Sequence, residues 1–285
     1  MFSVKQKVLI ARGLNRVLVA ARRCVGLGPL TVTNRRGIRW SLDLNEGIDL
    51  CIYLLGAYEP RTVWRYSPLI ESGFVVLDIG ANVGSHTLQF ARLVGPTGRV
   101  FAFEPTDFAF AKLKRNVGLN PQLAPSVIAS QTLLVAEAAA AAPEALYASW
   151  PLMADPDGLH REHLGKAMPI AGAAVITADE FCRRNGLTRI DFVKLDVDGN
   201  EFEVLKGFVA ALEKFRPRIL MEIAPYVLDE RSANLLEELT EFLVSLRYQF
   251  LMVNSRQPII ARSAALRSLV GAGDSINILL EPKAV

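Results

Sequence analysis

The stretch VVLDIGANVG (residues 75–84) places an acid and two glycines where a buried strand would turn into a helix. Asp78 ends the apolar run, and Gly80 and Gly84 follow with Asn82 between them. Glycine permits a tight turn and the close approach of a ligand. In a doubly wound sheet, ligands lie outside the carboxyl ends of the strands, which is where this turn would be. The stretch therefore predicts a binding loop at a strand end.

A second acid marks the end of the next apolar stretch. VFAFEP (residues 100–105) contains Glu104, twenty residues after Gly84. A carboxylate at this point can accept hydrogen bonds from both hydroxyls of a ribose. The helix that we expect to begin near Ser85 would direct its unpaired N–H groups towards the same ligand. Together the two motifs predict a cofactor that contains a nucleoside.

The spacing of the glycines indicates which cofactor binds. A dinucleotide-binding loop requires G-x-G-x-x-G, and Asn82 stands where the middle glycine belongs. Asp78 would add like charge next to a pyrophosphate, whereas it suits the ammonium and sulfonium groups of S-adenosylmethionine. We therefore predict S-adenosylmethionine as the cofactor. An NAD-dependent oxidoreductase and a non-catalytic binding protein on the same fold are the alternatives.

Longer motifs between Tyr58 and Lys283 make the chain resemble the FkbM-type family of S-adenosylmethionine-dependent methyltransferases. The resemblance rests on residues 58–105 and on KLKRNVGLN, RPRILMEI and the segment ITADEFCRRNGLTRIDFVKLDVDGNEFEVLKG, of which the last is the most specific. It implies O-methylation of a hydroxyl group on a sugar, polysaccharide or secondary metabolite. It also implies an α/β fold of the class I methyltransferase (Rossmann-like) type, with a doubly wound seven-stranded sheet whose last strand is antiparallel.

The resemblance also assigns residues to the cofactor site. Carried over by position, the cofactor residues are Asp78, Gly80, Asn82, Gly84, Ser85 and Glu104. Glu137 is the nearest match to the acid that the family places near the adenine. Glu59, which precedes the first strand of this region, could contact the cofactor or cover the site.

Two further acids are candidates for catalysis. Asp196 follows the strand DFVKL, and Glu222 lies near the end of the next strand, RILME. Consecutive parallel strands would bring them together, and either carboxylate could take the proton of an acceptor hydroxyl. A divalent metal held by the same oxygens is a variant that we do not favour. Asp198, by contrast, could have only a structural role at the start of the following helix, where an acid interacts favourably with the helix dipole.

Histidines are the alternative bases. His86 lies in the first turn after the glycine loop, where we favour a packing or hydrogen-bonding role. His160 and His163 lie in a segment, residues 150–170, that we interpret as an insertion near the substrate entrance.

The elements that must position these residues alternate between strand and helix from residue 74 onward, and they include a predicted strand at 126–133 and a predicted helix at 201–214. Near-continuous apolar strands joined by helices predict a parallel sheet that is covered on both faces. Before them, residues 3–23 indicate an amphipathic helix, and residues 30–44 indicate a β-hairpin. We therefore divide the chain into an N-terminal helix and hairpin extension (1–57) and a Rossmann-like methyltransferase domain (58–285).

Charge and cysteine content bear on location and partners. The first 42 residues hold nine Lys and Arg and no acid, although the net charge of the whole chain is only +3. This distribution does not indicate a nucleic-acid partner. Residues 1–25 would either pack on the protein or touch an anionic membrane peripherally. Three scattered cysteines predict a reducing, cytoplasmic compartment. The sequence does not fix the oligomeric state.

Overall fold

The computed structural model describes residues 4–138, 142–154, 158–161 and 164–283. Its strands are β1 (Leu30–Arg35), β2 (Ile38–Asp43), β3 (Val75–Ile79), β4 (Arg99–Phe103), β5 (Val127–Ser130), β6 (Thr132–Leu134), β7 (Ala145–Ser149), β8 (Lys166–Pro169), β9 (Ala174–Ile176), β10 (Phe192–Leu195), β11 (Arg218–Ile223), β12 (Tyr248–Met252), β13 (Pro258–Ile259) and β14 (Ile276–Pro282). Its helices are α1 (Val4–Cys24), α2 (Gly47–Leu55), α3 (Pro60–Tyr66), α4 (Thr87–Val94), α5 (Asp107–Gly118), α6 (Ala178–Arg184), α7 (Glu201–Lys206), α8 (Val209–Phe215), α9 (Pro225–Arg231), α10 (Leu235–Ser245) and α11 (Ser263–Ser268).

The central sheet has the strand order β13-β12-β14-β11-β10-β3-β4-β5. From β5 to β11 neighbouring strands are parallel, and β14 is antiparallel to both β11 and β12. The predicted α/β sheet with an antiparallel last strand is therefore confirmed. The two-residue strand β13 adds an eighth strand at the edge beyond the seven expected.

The core lies on both faces of this sheet because successive residues of a strand point to opposite sides. On β3, Leu77 belongs to a buried cluster with Phe208, and Val76 belongs to a second cluster with Tyr66 and Phe90. Helices cover both faces, so the strands are almost wholly apolar. This alternation also decides that Asp78 points to the same side as Val76, beneath α3 and α4.

Two predicted elements are divided in the structure. The predicted strand 126–133 becomes β5, which stays in the main sheet, and β6, which pairs with β9 instead. The predicted helix 201–214 becomes α7 and α8, separated near Gly207. A Cβ atom at Gly207 would lie 2.1 Å from the carbonyl oxygen of Val135, so the chain approaches its neighbour too closely there for a side chain.

The N-terminal helix and the predicted hairpin β1–β2 pack on the main body. Trp40 is fully buried in a cluster that includes Val19 of α1 and also Val83 and Leu88 of the body. Hydrogen bonds from β2 to the side chains of Asn116 on α5 and Asn120 just after this helix reinforce the contact. The division at residue 57 stays a prediction. No helix in the described part of the chain is long and apolar enough to cross a membrane.

Candidate active site

The carboxyl ends of β3, β4, β10 and β11 open into a cavity of about 720 Å³. Most of the predicted site residues line it, namely Glu59, Gly80, Asn82, Ser85, Glu104, Asp196 and Glu222. The structure thus brings together the cofactor loop, the ribose acid and the two candidate bases at one edge of the sheet. Asp78, Gly84 and Glu137 are not part of the described wall.

The glycine loop is held by its own chain. The backbone N–H groups of Gly80 and Ala81 donate to the carbonyl oxygen of Phe103. Gly80 has φ of 82°, and a Cβ atom there would lie 1.8 Å from the carbonyl oxygen of Asp196. The glycine is therefore required by the packing of the loop against the end of β10. Asn82, also left-handed at φ of 48°, fixes the next bend by accepting the N–H of Val83 on its side-chain oxygen.

Glu104 is the acid most firmly positioned at the cavity. Its carboxylate accepts the backbone N–H groups of Asn82 and Thr106, both at 2.9 Å, and the Thr106 hydroxyl at 2.6 Å. It is 4% exposed, and this burial raises the pKa of its carboxyl. Two carboxylate oxygens offer about four acceptor sites, and three are used here, so capacity remains for about one ribose hydroxyl. The arrangement fits the predicted nucleoside.

Asp78 lies behind the loop. It is fully buried and accepts the Thr87 hydroxyl at 2.6 Å, and its other oxygen lies 3.9 Å from the Lys194 ammonium. Burial raises the pKa of its carboxyl, although Lys194 opposes the effect. Its observed contacts orient the start of α4 and provide a negative charge next to Lys194. Direct contact between Asp78 and the cofactor stays a prediction.

Lys194 is a site residue that the sequence analysis missed. It lies in β10 opposite Asp78, and its ammonium donates to the carbonyl of Gly80 at 3.1 Å and to Asp196 at 3.0 Å. Burial alone would lower the pKa of Lys194, but the carboxylates of Asp196 and Asp78 raise it above its ordinary value. One signal in the sequence could have identified Lys194: it lies inside a strand predicted to be buried, and a buried lysine requires a paired charge.

Asp196 and Glu222 form a hydrogen-bonded carboxyl pair, as their consecutive strands predicted. Burial opposes ionisation of Asp196, but the neighbouring Lys194 and the hydrogen bond from Glu222 lower its pKa below the ordinary value. Burial and the charge of Asp196 raise the pKa of Glu222, whose carboxyl also accepts the Ser275 hydroxyl at 2.5 Å. These directions favour Glu222 as the carboxyl that holds the shared proton and Asp196 as the one that ionises more readily.

Other acids surround this pair. Glu59 has φ of 46° and accepts the side-chain amide of Asn277 at 3.1 Å. Glu201 accepts the N–H groups of Val197 and Gly199, so it organises the start of α7; burial raises its pKa to about 7. Asp198 is left-handed at φ of 49° and lines the cavity. Among the described residues, no group of three or more acids, histidines or cysteines could hold a metal ion.

The histidines have different surroundings. His86 is buried between aromatic rings, its Nδ1 lies 3.1 Å from the Tyr66 hydroxyl, and burial lowers its pKa to about 3. It is thus a neutral packing and hydrogen-bonding residue, as predicted. His160 lines the cavity, 3.2 Å from Glu230. His163 lies outside the described residues.

The segment predicted as an insertion, residues 150–170, contributes to the wall of the cavity together with the strand β7 that precedes it. Strands β7 and β8 pair antiparallel, and Leu146, Trp150 and Leu152 face the cavity. By contrast, Glu137 is exposed and stands away from the described wall, so its position gives no support to the predicted adenine contact. The strand β6, which precedes Glu137 in the sequence, does line the cavity, through Thr132, Leu133 and Leu134.

Comparison with known proteins gives the family. The family model described as "Methyltransferase FkbM domain" matches residues 78–250. The chain is 30% identical over 143 residues to hexuronic acid methyltransferase AglP of Haloferax volcanii, covering 50% of this chain and 53% of that protein. It is 26% identical over 174 residues to 31-O-demethyl-FK506 methyltransferase FkbM of Streptomyces tacrolimicus, covering 53% and 65%. The match therefore spans about half of the first relative and nearly two thirds of the second.

The comparison also matches solved structures, among them the following two. Methyltransferase FkbM of Methylobacillus flagellatus is 15% identical, with a TM-score of 0.44 and coverage of 76% of this chain and 49% of that one. An S-adenosylmethionine-dependent O-methyltransferase of Thermotoga maritima is 14% identical, with the same score and coverage of 92% and 81%.

The extent of the family match favours one of the enzyme classes that the glycine loop left open. It covers more than half of the chain, including the loop, Glu104 and both candidate bases. A methyltransferase family does not fit the oxidoreductase given as an alternative. This protein belongs to the FkbM methyltransferase family.

Proposed function

We propose that this chain transfers a methyl group from S-adenosylmethionine to a hydroxyl group of a sugar, polysaccharide or secondary metabolite. The observation that carries the proposal is the Asp196–Glu222 pair, which lines the same cavity as Glu104. An ionised carboxylate beside the cofactor site is the group that O-methylation requires, because an alcohol must lose its proton as the new bond forms.

The charge of the cavity supports a cationic cofactor. Its wall carries Glu59, Asp196 and Asp198 in addition to Glu104. We assign the ribose to Glu104 and the adjacent loop 80–85, and the cationic amino acid end to Asp198, which follows β10. The chemistry supplied by bound S-adenosylmethionine is an activated methyl group on a sulfonium, delivered to the acceptor oxygen with release of S-adenosylhomocysteine.

The residues of this chain would position the acceptor and take its proton. We assign Asp196 as the base: it would accept a hydrogen bond from the acceptor hydroxyl and then its proton. Lys194 keeps this carboxylate ionised, and Glu222 orients it through the shared hydrogen bond. Because the methyl donor is already activated, placing the oxygen correctly supplies most of the remaining rate acceleration.

The walls of the cavity favour a hydroxylated acceptor. Tyr58, Trp150 and Tyr226 present aromatic surface, and Asn200 and Ser275 present hydrogen-bonding groups. Apolar surface combined with a few polar groups is typical of small-molecule sites. The names of two relatives, a hexuronic acid methyltransferase and a 31-O-demethyl-FK506 methyltransferase, are those of enzymes with sugar and oxygen acceptors. We extend this acceptor class to the present chain.

The test has a binding arm and a reaction arm. S-adenosylhomocysteine at a hundredfold excess over its Kd should stabilise the protein by about 2.7 kcal/mol. Glu104→Gln should abolish this gain, whereas Glu137→Gln, an exposed acid away from the described cavity wall, should retain it. Methyl-labelled S-adenosylmethionine should then label uronic acid or neutral glycans. A stabilised protein that labels nitrogen or carbon acceptors but no hydroxyl would refute the assignment to O-methylation.

A further inference from the structure

Helix α1 exposes an apolar strip to solvent. The side chains of Leu9 and Val17 are 70% and 72% exposed, and Ile10 and Leu14 are about half exposed at 46% and 50%. At 3.6 residues per turn these positions share one side of the helix with Gly13. We call the strip formed by residues 9, 10, 13, 14 and 17 the outer face of α1. Apolar side chains of α1 therefore lie on two faces of the helix. Val19 packs against the protein, whereas Val17 is exposed to solvent.

The orientation of α1 is fixed by contacts on its opposite side. Lys7 pairs with Asp274 at 3.1 Å, and the buried side chain of Asn15 donates to the carbonyl oxygen of Leu44 at 2.6 Å. Val8 and Ala11 line the methyltransfer cavity. Turning the helix to bury its outer face would break these contacts, so the exposed strip is a property of the folded protein.

The charges beside the outer face indicate what covers it. Arg16 and Arg23 are exposed at its border, and α1 contains no acid. An apolar strip whose charged neighbours on the helix are basic complements a bilayer with anionic headgroups, because the strip enters the acyl boundary and the cations meet the lipid charges. A second copy of this chain fits less well, since a symmetric contact would bring two rows of arginines together without any compensating acid.

We propose that the outer face of α1 binds an anionic membrane surface and lies in the plane of that surface. The side of α1 that carries Val8 forms part of the cavity wall, so this part of the wall would then lie about one helix diameter, roughly 10 Å, from the membrane-facing side of the helix. This interaction surface is separate from the residues assigned to methyl transfer, and it stands whether or not that assignment is correct.

Vesicle co-sedimentation of the full chain tests the proposal. The wild type should bind phosphatidylglycerol-containing vesicles, and added salt should weaken this binding. Binding to pure phosphatidylcholine vesicles should be weak. The double substitution Leu9→Ser/Val17→Ser should reduce binding at least tenfold, by about the cost of withdrawing two apolar side chains from lipid. Arg16→Gln should reduce it roughly fivefold.

The matched control is Ile260→Ser, since Ile260 is 69% exposed but lies in the C-terminal part of the chain. It should bind vesicles like the wild type, and all variants should keep the thermal midpoint because the altered side chains are exposed. Equal binding by Leu9→Ser/Val17→Ser and the wild type would overturn the proposal, as would equal binding to neutral vesicles or no binding. A wild-type dimer that the same double substitution converts to a monomer would show instead that a second copy covers the strip.

Discussion

Replacement of each member of the Asp196–Glu222 pair by its amide should have very unequal effects on catalysis. Asp196→Asn removes the only ionised oxygen of the pair, and general-base catalysis is typically worth about 10²–10⁴ in rate. This loss corresponds to about 2.7–5.4 kcal/mol of transition-state stabilisation. Glu222→Gln replaces a carboxylic acid with an amide that can still donate to Asp196. We expect it to retain kcat within about tenfold of the wild type.

The difference follows from where the shared proton resides. Lys194, 3.0 Å from Asp196, stabilises the anion there, and Glu222 keeps the proton because burial and the Asp196 charge raise its pKa. The pKa of Asp196 is lowered, so the base stays ionised as the pH falls and is lost only when the pH drops through its depressed pKa. The acid limb of the rate profile should therefore lie below the ordinary carboxyl range.

The assay is single-turnover transfer from labelled S-adenosylmethionine, measured as a function of pH. Stabilisation by S-adenosylhomocysteine serves as the control, and both variants should keep it because Glu104 is unaltered. The reasoning would be refuted if Glu222→Gln lost as much rate as Asp196→Asn with cofactor binding intact, since Glu222 would then carry the base function. It would also fail if Asp196→Asn kept more than a tenth of the wild-type rate.

Three further predictions concern residues in the cavity wall. Lys194→Met should lower the free energy of unfolding in urea by about 3–5 kcal/mol, because Asp78 and Asp196 lose their buried counter-charge. It should also move the acid limb of the rate profile to higher pH. An unchanged acid limb would argue against the pairing of Lys194 with Asp196. His86 has a folded pKa of about 3 against an ordinary 6.5, so only the unfolded chain takes up its proton as the pH falls. The wild type should therefore lose about 2 kcal/mol of stability between pH 7.5 and 5 that His86→Gln does not lose, and parallel stability curves would contradict this. Gly80→Ala should destabilise the protein by more than about 2 kcal/mol, because the new Cβ atom would collide with the carbonyl oxygen of Asp196. The control Gly118→Ala should not destabilise it, because no atom lies within 4 Å of that Cβ position. Equal melting temperatures of the two variants would contradict the predicted clash.

Much of the site could be predicted from local sequence because its residues follow strands. Each apolar run ends at the same edge of a parallel sheet, so the positions of Glu104, Asp196 and Glu222 followed from their places at strand ends. The loop glycines were predicted for close approach of a ligand. The structure shows in addition that Gly80 makes room for the carbonyl of Asp196. That contact joins residues far apart in the sequence, and no local pattern reports it.

The sequence by itself determined the alternation of strands and helices, the cofactor loop and the family. Only the tertiary structure decided which charges meet. The register between β3 and β10 sets Asp78 opposite Lys194, and the two-residue period of the strands turns both side chains under α3 and α4. Asp78 is consequently buried next to a lysine, a pairing that its position at a strand end did not predict. Pairing between distant strands depends on the whole sheet, since a shift by one residue would place every side chain on the other face.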